Sequence, residues 1–262
     1  MGLMKSVEML ELGLGEVAIF WLGQNSYVLK TSAGTIFAID PYLSRDERYS
    51  YVHPEPPMRP EELRAHCIFC THDHTDHTDP QALPIIARCS PGTAFYGSHE
   101  SCERLVGLGV ESDRVEALRA GVPISVRDLR VTAYHSVPPE EADTTHFGYL
   151  FEVDGVRIFN MGDTYQSVVR RPEAVLAPIV EASPDIAMFP IIGDTPERRP
   201  EDAFMFARLV RPRIAIPCHY DCFKDRTIDP KVFADMFKGV PGIRPVVIGY
   251  KGKYVFKPGG RG

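Results

Sequence analysis

Thr71-His72-Asp73-His74-Thr75-Asp76-His77-Thr78-Asp79 holds three of the chain's nine histidines and three aspartates in nine residues. Imidazole and carboxylate together are ligands for a borderline divalent metal such as zinc, iron or manganese. A solvated polar loop accounts for one or two histidines, not for this density. An apolar run, Cys67 to Cys70, precedes the stretch, and Asp79-Pro80 follows it with the cap and first-turn signature of a helix to about Ala87. A metal-holding loop between a buried strand and a helix is the reading that organises the rest.

Working outward, short runs rich in β-branched and aromatic residues read as strands: Val17–Leu22, Tyr27–Lys30 and Thr35–Ile39 before the loop, and Thr93–Tyr96 after it. A helix is expected over about Ser98–Val106. The second half repeats the style. Pro123–Val126 and Leu129–Tyr134 are strands, and Phe147–Val153 and Val156–Met161 flank Asp154-Gly155, a strong hairpin signal. A helix over Ser167–Glu181, a strand over Ile186–Ile192, a helix over Pro200–Val210 and a strand over Ile214–Cys218 follow. Asp229-Pro230 opens another helix, and strands over Val246–Ile248 and Tyr254–Phe256 close the chain. Strand–helix alternation in two β-rich halves predicts an α/β protein with two sheets packed face to face and helices outside. Residues Ser44–Glu62, with four prolines, Tyr49, Tyr51 and His53, read as an ordered loop rather than a domain linker, so one domain over 1–262 is expected.

Composition bounds the function. At 44% hydrophobic and 24% charged, the 262 residues describe an ordinary soluble globular protein. A formal charge of −6 gives no electrostatic reason for a nucleic-acid partner, and no stretch is long and apolar enough for a membrane span. The expectation is a cytoplasmic enzyme of a small molecule, without nucleic acid or membrane, and with homo-oligomerisation left open. The six cysteines read as reduced, and Cys67 and Cys70, three apart on a strand, as core residues on opposite faces.

Along an extended segment the spacing sends His72 and His74 the same way, while Asp76 and His77 fall after the bend. So many donors exceed the needs of one metal and suit a two-metal site. The remaining ligands are expected just past strand ends, at His135, Asp163 and His219.

His72-x-His74-x-Asp76-His77, His135, Gly162-Asp163 and Pro217-Cys218-His219, in this order, resemble the ligand series of the metallo-β-lactamase fold. The resemblance runs from Phe20-Trp21-Leu22-Gly23 through Ile39-Asp40-Pro41 to Val246–Phe256. Within that superfamily the loop, Phe95-Tyr96-Gly97, Gly162-Asp163-Thr164 and Pro217–Asp221 are most similar to the ascorbate-6-phosphate lactonase-like branch. His135 departs from that branch and follows the general superfamily pattern.

The resemblance implies an αββα four-layer sandwich of two mixed sheets flanked by helices, and two divalent ions, Mn2+ or Zn2+. By position, His72, His74 and His135 would hold one ion and Asp76, His77 and His219 the other, with Asp163 bridging. Asp76 would also orient the attacking water and move its proton. Around the ligands, Asp40 and Asp73 are candidate carboxylate partners of ligand imidazoles. His146, Tyr165, Asp194 and Tyr220 are candidate substrate contacts. Gly193-Asp194-Thr195 repeats Gly162-Asp163-Thr164, but the latter follows the hairpin and matches the family order. Turn chemistry explains Gln24 and Asn25 about as well as a place in the site. The function so implied is a metal-dependent hydrolase of a small ester-like substrate, a lactone first, phosphorylated sugar lactones included. A phosphodiesterase of the same fold is the alternative.

Overall fold

A computed structural model describes residues 2–136, 145–164, 167–193 and 199–259. The first half runs α1 (Leu3–Glu8), β1 (Val17–Gly23), β2 (Ser26–Thr31), β3 (Ile36–Ile39), β4 (Cys67–Cys70), α2 (Ala82–Cys89), β5 (Ala94–Gly97), α3 (His99–Gly107) and β6 (Val115–Ala117). The second runs β7 (Ile124–Val126), β8 (Leu129–His135), β9 (Phe147–Val153), β10 (Val156–Asn160), α4 (Ser167–Arg170), α5 (Pro172–Ala182), β11 (Ile186–Pro190), α6 (Pro200–Val210), β12 (Ile214–Cys218) and α7 (Lys231–Asp235). The chain closes with β13 (Arg244–Pro245) and β14 (Lys253–Phe256).

Two seven-stranded mixed sheets result, ordered β14-β1-β2-β3-β4-β5-β6 and β13-β12-β11-β10-β9-β8-β7. Strands β3 to β6 and β10 to β13 run parallel, and the other pairings are antiparallel. In the first sheet the period of two decides which layer each side chain enters. Val17, Ile19, Trp21, Tyr27, Leu29, Phe37 and Phe69 face the space between the sheets. Their neighbours Ala18, Phe20, Leu22, Val28, Ala38 and Ile68 meet Met4 and Val7 of α1, Leu83 and Ile86 of α2 and Leu105 of α3. With both faces covered, these strands read as continuous apolar runs rather than alternating ones. Across the seam Phe151 of β9 meets Phe37 at 4.9 Å and Phe69 at 5.0 Å between ring centroids. This is the αββα sandwich expected from the sequence.

Local chemistry sets the connections. Asp154 and Gly155 both take positive φ, 50° and 78°, the geometry a two-residue hairpin needs to match strand twist. The expected helix over 167–181 is two helices, because Pro172 has no N–H to continue α4 and instead starts α5. The strand expected over Val246–Ile248 is displaced to Arg244–Pro245, although the Val246 N–H still donates to Ala215 O at 2.9 Å. Helix α1 and strand β6 carried no clear signal. Cys67 and Cys70 are buried, unpaired and in different apolar clusters, as strand geometry requires. Among the described residues no helix is long and apolar enough to cross a membrane.

All the elements that matter for chemistry open at one edge. The C-terminal ends of β4, β8, β10 and β12 lie there, and so does the start of β9, which runs antiparallel to β8 and β10.

Candidate metal centre

The loop after β4 is tied down before it presents any ligand. Asp40, in a left-handed conformation (φ 43°) at the end of β3, accepts the Thr71 N–H at 2.7 Å and the Thr71 hydroxyl at 2.6 Å. At the far end Asp79 accepts the N–H groups of Gln81 and Ala82 at the head of α2, and those of Leu43 and Ser44, all within 3.0 Å. Asp79 is thus a cap and a brace. Between the two anchors, Thr78 donates its hydroxyl to His72 O at 2.7 Å.

Three imidazoles are held by one nitrogen so that the other points inward. Thr71 Oγ1 has given its hydrogen to Asp40, so at 3.1 Å it accepts from His72 Nδ1. His77 Nδ1 donates to Asp40 Oδ2 at 2.6 Å, and His219 Nδ1 donates to the Ile192 carbonyl at 3.0 Å. Each partner accepts only, which fixes a hydrogen on Nδ1 and makes Nε2 the candidate ligand atom.

Two donor groups form. His72, His74 and His146 bring one nitrogen each within 4.8 Å of one another, and Asp76, His77 and His219 do the same with a carboxylate oxygen and two nitrogens. His219 Nε2 lies 3.4 Å from His77 Nε2 and 3.7 Å from Asp163 Oδ2, so Asp163 stands beside the second group. Gly162 makes that approach possible. Its φ is +67°, and a Cβ there would lie 2.5 Å from Phe147 O and 3.2 Å from the Thr71 side chain.

The chemistry of these donors fits a divalent cation. His72 Nε2 is buried with no hydrogen-bond partner, which a protein seldom tolerates without a ligand to fill the gap. Burial, and then the crowding of His77, His146, His74 and His219, keeps His72 neutral with a pKa well below the ordinary histidine value, as a metal ligand must be. Burial would lower His77 as well, but the Asp76 and Asp40 carboxylates outweigh it and raise that imidazole to about 9. Burial pushes Asp76 up, yet His77, His219 and the Gln24 amide together hold it below the usual carboxylate value.

Several sequence expectations are redistributed. His146, expected against substrate, stacks on His72 at 3.9 Å and takes the place in the first group expected for His135. The reason is topological. Strand β9 lies between β8 and β10, and its first N–H, from Phe147, donates to Thr71 O at 2.8 Å, which sets His146 beside the loop. His135 pairs with Phe147 one strand further out, its ring 5.4 Å from the Phe147 ring. Tyr220 is 2% exposed and packs on Trp21 at 4.7 Å, so it serves the core rather than a substrate. Asp73 offers its carbonyl to Arg104. Tyr165 and Asp194 lie outside the described residues.

Gln24 went unassigned in the sequence, and its neighbours show why it matters. Its side-chain nitrogen lies 2.8 Å from Asp76 Oδ2 and 3.1 Å from His219 Nε2. Beside the first group a cavity of about 310 Å³ is lined by Tyr49, Asp73, His74, Thr75, Asp76, Arg104, Phe223 and Arg226. Its outer wall is the loop after β3, joined to the loop after β12 where Val52 N–H donates to Cys222 O at 2.8 Å and Lys224 N–H to Ser50 O at 2.9 Å.

Comparison with known proteins agrees with this geometry. The beta-lactamase superfamily domain model matches residues 18–219, from β1 to the residue after β12. A UPF0173 metal-dependent hydrolase of Methanopyrus kandleri is 30% identical over 223 residues, covering 82% of this chain and 89% of its own. One from Cupriavidus taiwanensis is 28% identical over 239 residues, covering 84% and 79%. Among solved structures, Igni18, a metallo hydrolase from the archaeon Ignicoccus hospitalis, superposes with a TM-score of 0.70 at 22% identity, covering 92% of this chain and 99% of its own. Matched from Ala18 to His219, the chain belongs to the metallo-β-lactamase superfamily, among the metal-dependent hydrolases.

Proposed function

We propose that the protein hydrolyses a small ester-like substrate at a dinuclear site, with lactones, phosphorylated sugar lactones included, as the first class. The observation that carries this reading is the cavity of about 310 Å³, which reaches His74 of one donor group and Asp76 of the other. That volume lies at the lower end of small-molecule sites and suits a compact substrate. Arg104 and Arg226 in its lining favour one carrying an anionic group, and the faces of Tyr49 and Phe223 favour a flat apolar part.

In the loaded protein His72, His74 and His146 would hold one ion and Asp76, His77 and His219 the other, with Asp163 beside the second group. The chemistry that divalent ions such as Mn2+ or Zn2+ would supply there is a lowered pKa for water and Lewis-acid polarisation of a carbonyl. Asp76, oriented by the Gln24 N–H, is the base placed to take the proton of the attacking water and return it to the leaving alkoxide. Asp40 holds His77, and Thr71 holds His72, in the one orientation that presents Nε2. The Arg104 guanidinium, anchored on Asp73 O, would fix the substrate's anionic group.

The test is a panel of lactones and a panel of phosphodiesters, run with manganese and then zinc. Turnover of lactones, faster when they carry a phosphate, is expected. Activity on phosphodiesters alone would replace this reading with the phosphodiesterase one.

A further inference from the structure

The Gln24 side chain sits where the second donor group converges and is built into place from both halves of the chain. It is 2% exposed, and its backbone holds a left-handed conformation (φ 53°) in the β1–β2 turn. Its N–H donates to Tyr220 O at 3.1 Å, while its carbonyl accepts the His219 N–H and the Trp21 indole N–H, both at 3.0 Å. A non-glycine residue kept at positive φ by three hydrogen bonds is costly geometry, retained where a side chain must be aimed.

The orientation of the amide follows from its partners. Asp76 is a carboxylate and accepts, and His219 Nε2 accepts because its Nδ1 hydrogen is committed to the Ile192 carbonyl. Both need a donor, so the NH2 faces them, and Oε1 is left buried without a partner. His219 Nε2 has a single lone pair. The carboxylate of Asp76 has several, but the imidazole cannot serve the amide and a metal at once. Metal binding at Asp76, His77 and His219 therefore has to release one Gln24 N–H inside the site.

We propose that this released N–H is a catalytic hydrogen-bond donor to the reacting oxygen. While the other N–H stays on Asp76, the amide is held beside a carboxylate that lines the cavity. As the oxygen of water adds to the carbonyl carbon, the π pair of the C=O bond moves onto the carbonyl oxygen. Gln24 donates to that oxygen and keeps its proton, and the proton of water goes to Asp76. The role rests on the ester-hydrolysis reading above. The displacement that creates it does not, because it follows from the Nδ1-protonated tautomer of His219 and the single lone pair left on its Nε2.

The experiment has two arms. In the first, metal-free protein labelled with 15N-glutamine is titrated with zinc, and the Gln24 side-chain NH2 resonances, assigned by their absence in Gln24→Met, are followed. They are expected to shift during occupation of the Asp76–His77–His219 group, and not in His219→Ala, where the hydrogen bond is missing from the start. Resonances that stay put as zinc fills that group would overturn the displacement. In the second, Gln24→Met and the shorter Gln24→Asn are assayed on the best substrate of the panels with zinc content checked. A fall in kcat of about a hundredfold with KM changed little is expected, the effect of deleting one oxyanion donor. Wild-type kcat in either variant at full zinc content would overturn the catalytic role. If no lactone is turned over, the substrate reading fails, while the zinc titration still decides the displacement.

Discussion

His77 Nδ1 donates to Asp40 Oδ2 over 2.6 Å, and both side chains are buried. The same carboxylate oxygen also takes the Thr71 hydroxyl and the Asn25 amide N–H, so Asp40 holds ligands through two routes at once. Asp40→Ala is expected to weaken metal binding about 10- to 100-fold, the usual cost of losing such a partner. Isothermal titration of metal-free protein with zinc measures this, and wild-type affinity in the variant would refute it.

The exchange of His135 for His146 makes a paired prediction. His146→Ala should lose most of the metal from the first group, bringing the content down by about one ion per chain, because it removes one of three protein ligands. His135→Ala should leave the content unchanged. Elemental analysis after metal-replete purification distinguishes them, and the reverse pattern would restore His135 as the ligand.

Gly162→Ala should be among the more damaging single-methyl changes in the chain. It combines a φ of +67° with a Cβ placed 2.5 Å from Phe147 O, a backbone atom that cannot swing away. A loss of roughly 3 kcal/mol or more is expected from strain and clash together. Urea unfolding of the metal-free protein reads it without interference from displaced ligands, and a loss below about 1 kcal/mol would show that β9 yields easily.

Substrate discrimination should sit on Arg104. Arg104→Gln is expected to raise KM for a phosphorylated lactone about tenfold while a neutral lactone of the same ring is affected little, since a charge-assisted hydrogen bond contributes about 1.5–3 kcal/mol. Equal losses on both substrates would assign Arg104 to holding the Asp73 loop instead.

Much of this was legible in the chain. The strands β1 to β4 and β8 to β12, the hairpin at Asp154-Gly155 and the sandwich followed from apolar runs and turn residues, because both faces of each sheet are covered. The loop from His72 to His77 announced itself by density. His146 escapes the expectation of ligands just past strand ends because that expectation holds for parallel strands. An antiparallel strand brings its first residue to the edge where its neighbours bring their last. Gln24 was invisible for a different reason. An uncharged amide in a glycine-flanked turn looks like turn chemistry until the loops bearing Asp76 and His219 are brought beside it. Tyr220 adjoins His219 in the sequence, but its ring turns onto Trp21.

The donors are drawn from loops that are far apart along the chain, with His219 the last to be synthesised. A nascent chain that has emerged only through β10 carries the histidine-rich loop, His146 and the β9–β10 hairpin, but only two members of the Asp76–His77–His219 group. Metal captured by the second group at that stage would be held by two of its three donors. Loading of the second group would therefore wait for β12 to emerge and join its sheet, which would make its metal a late seal on the folded protein rather than a template for its folding.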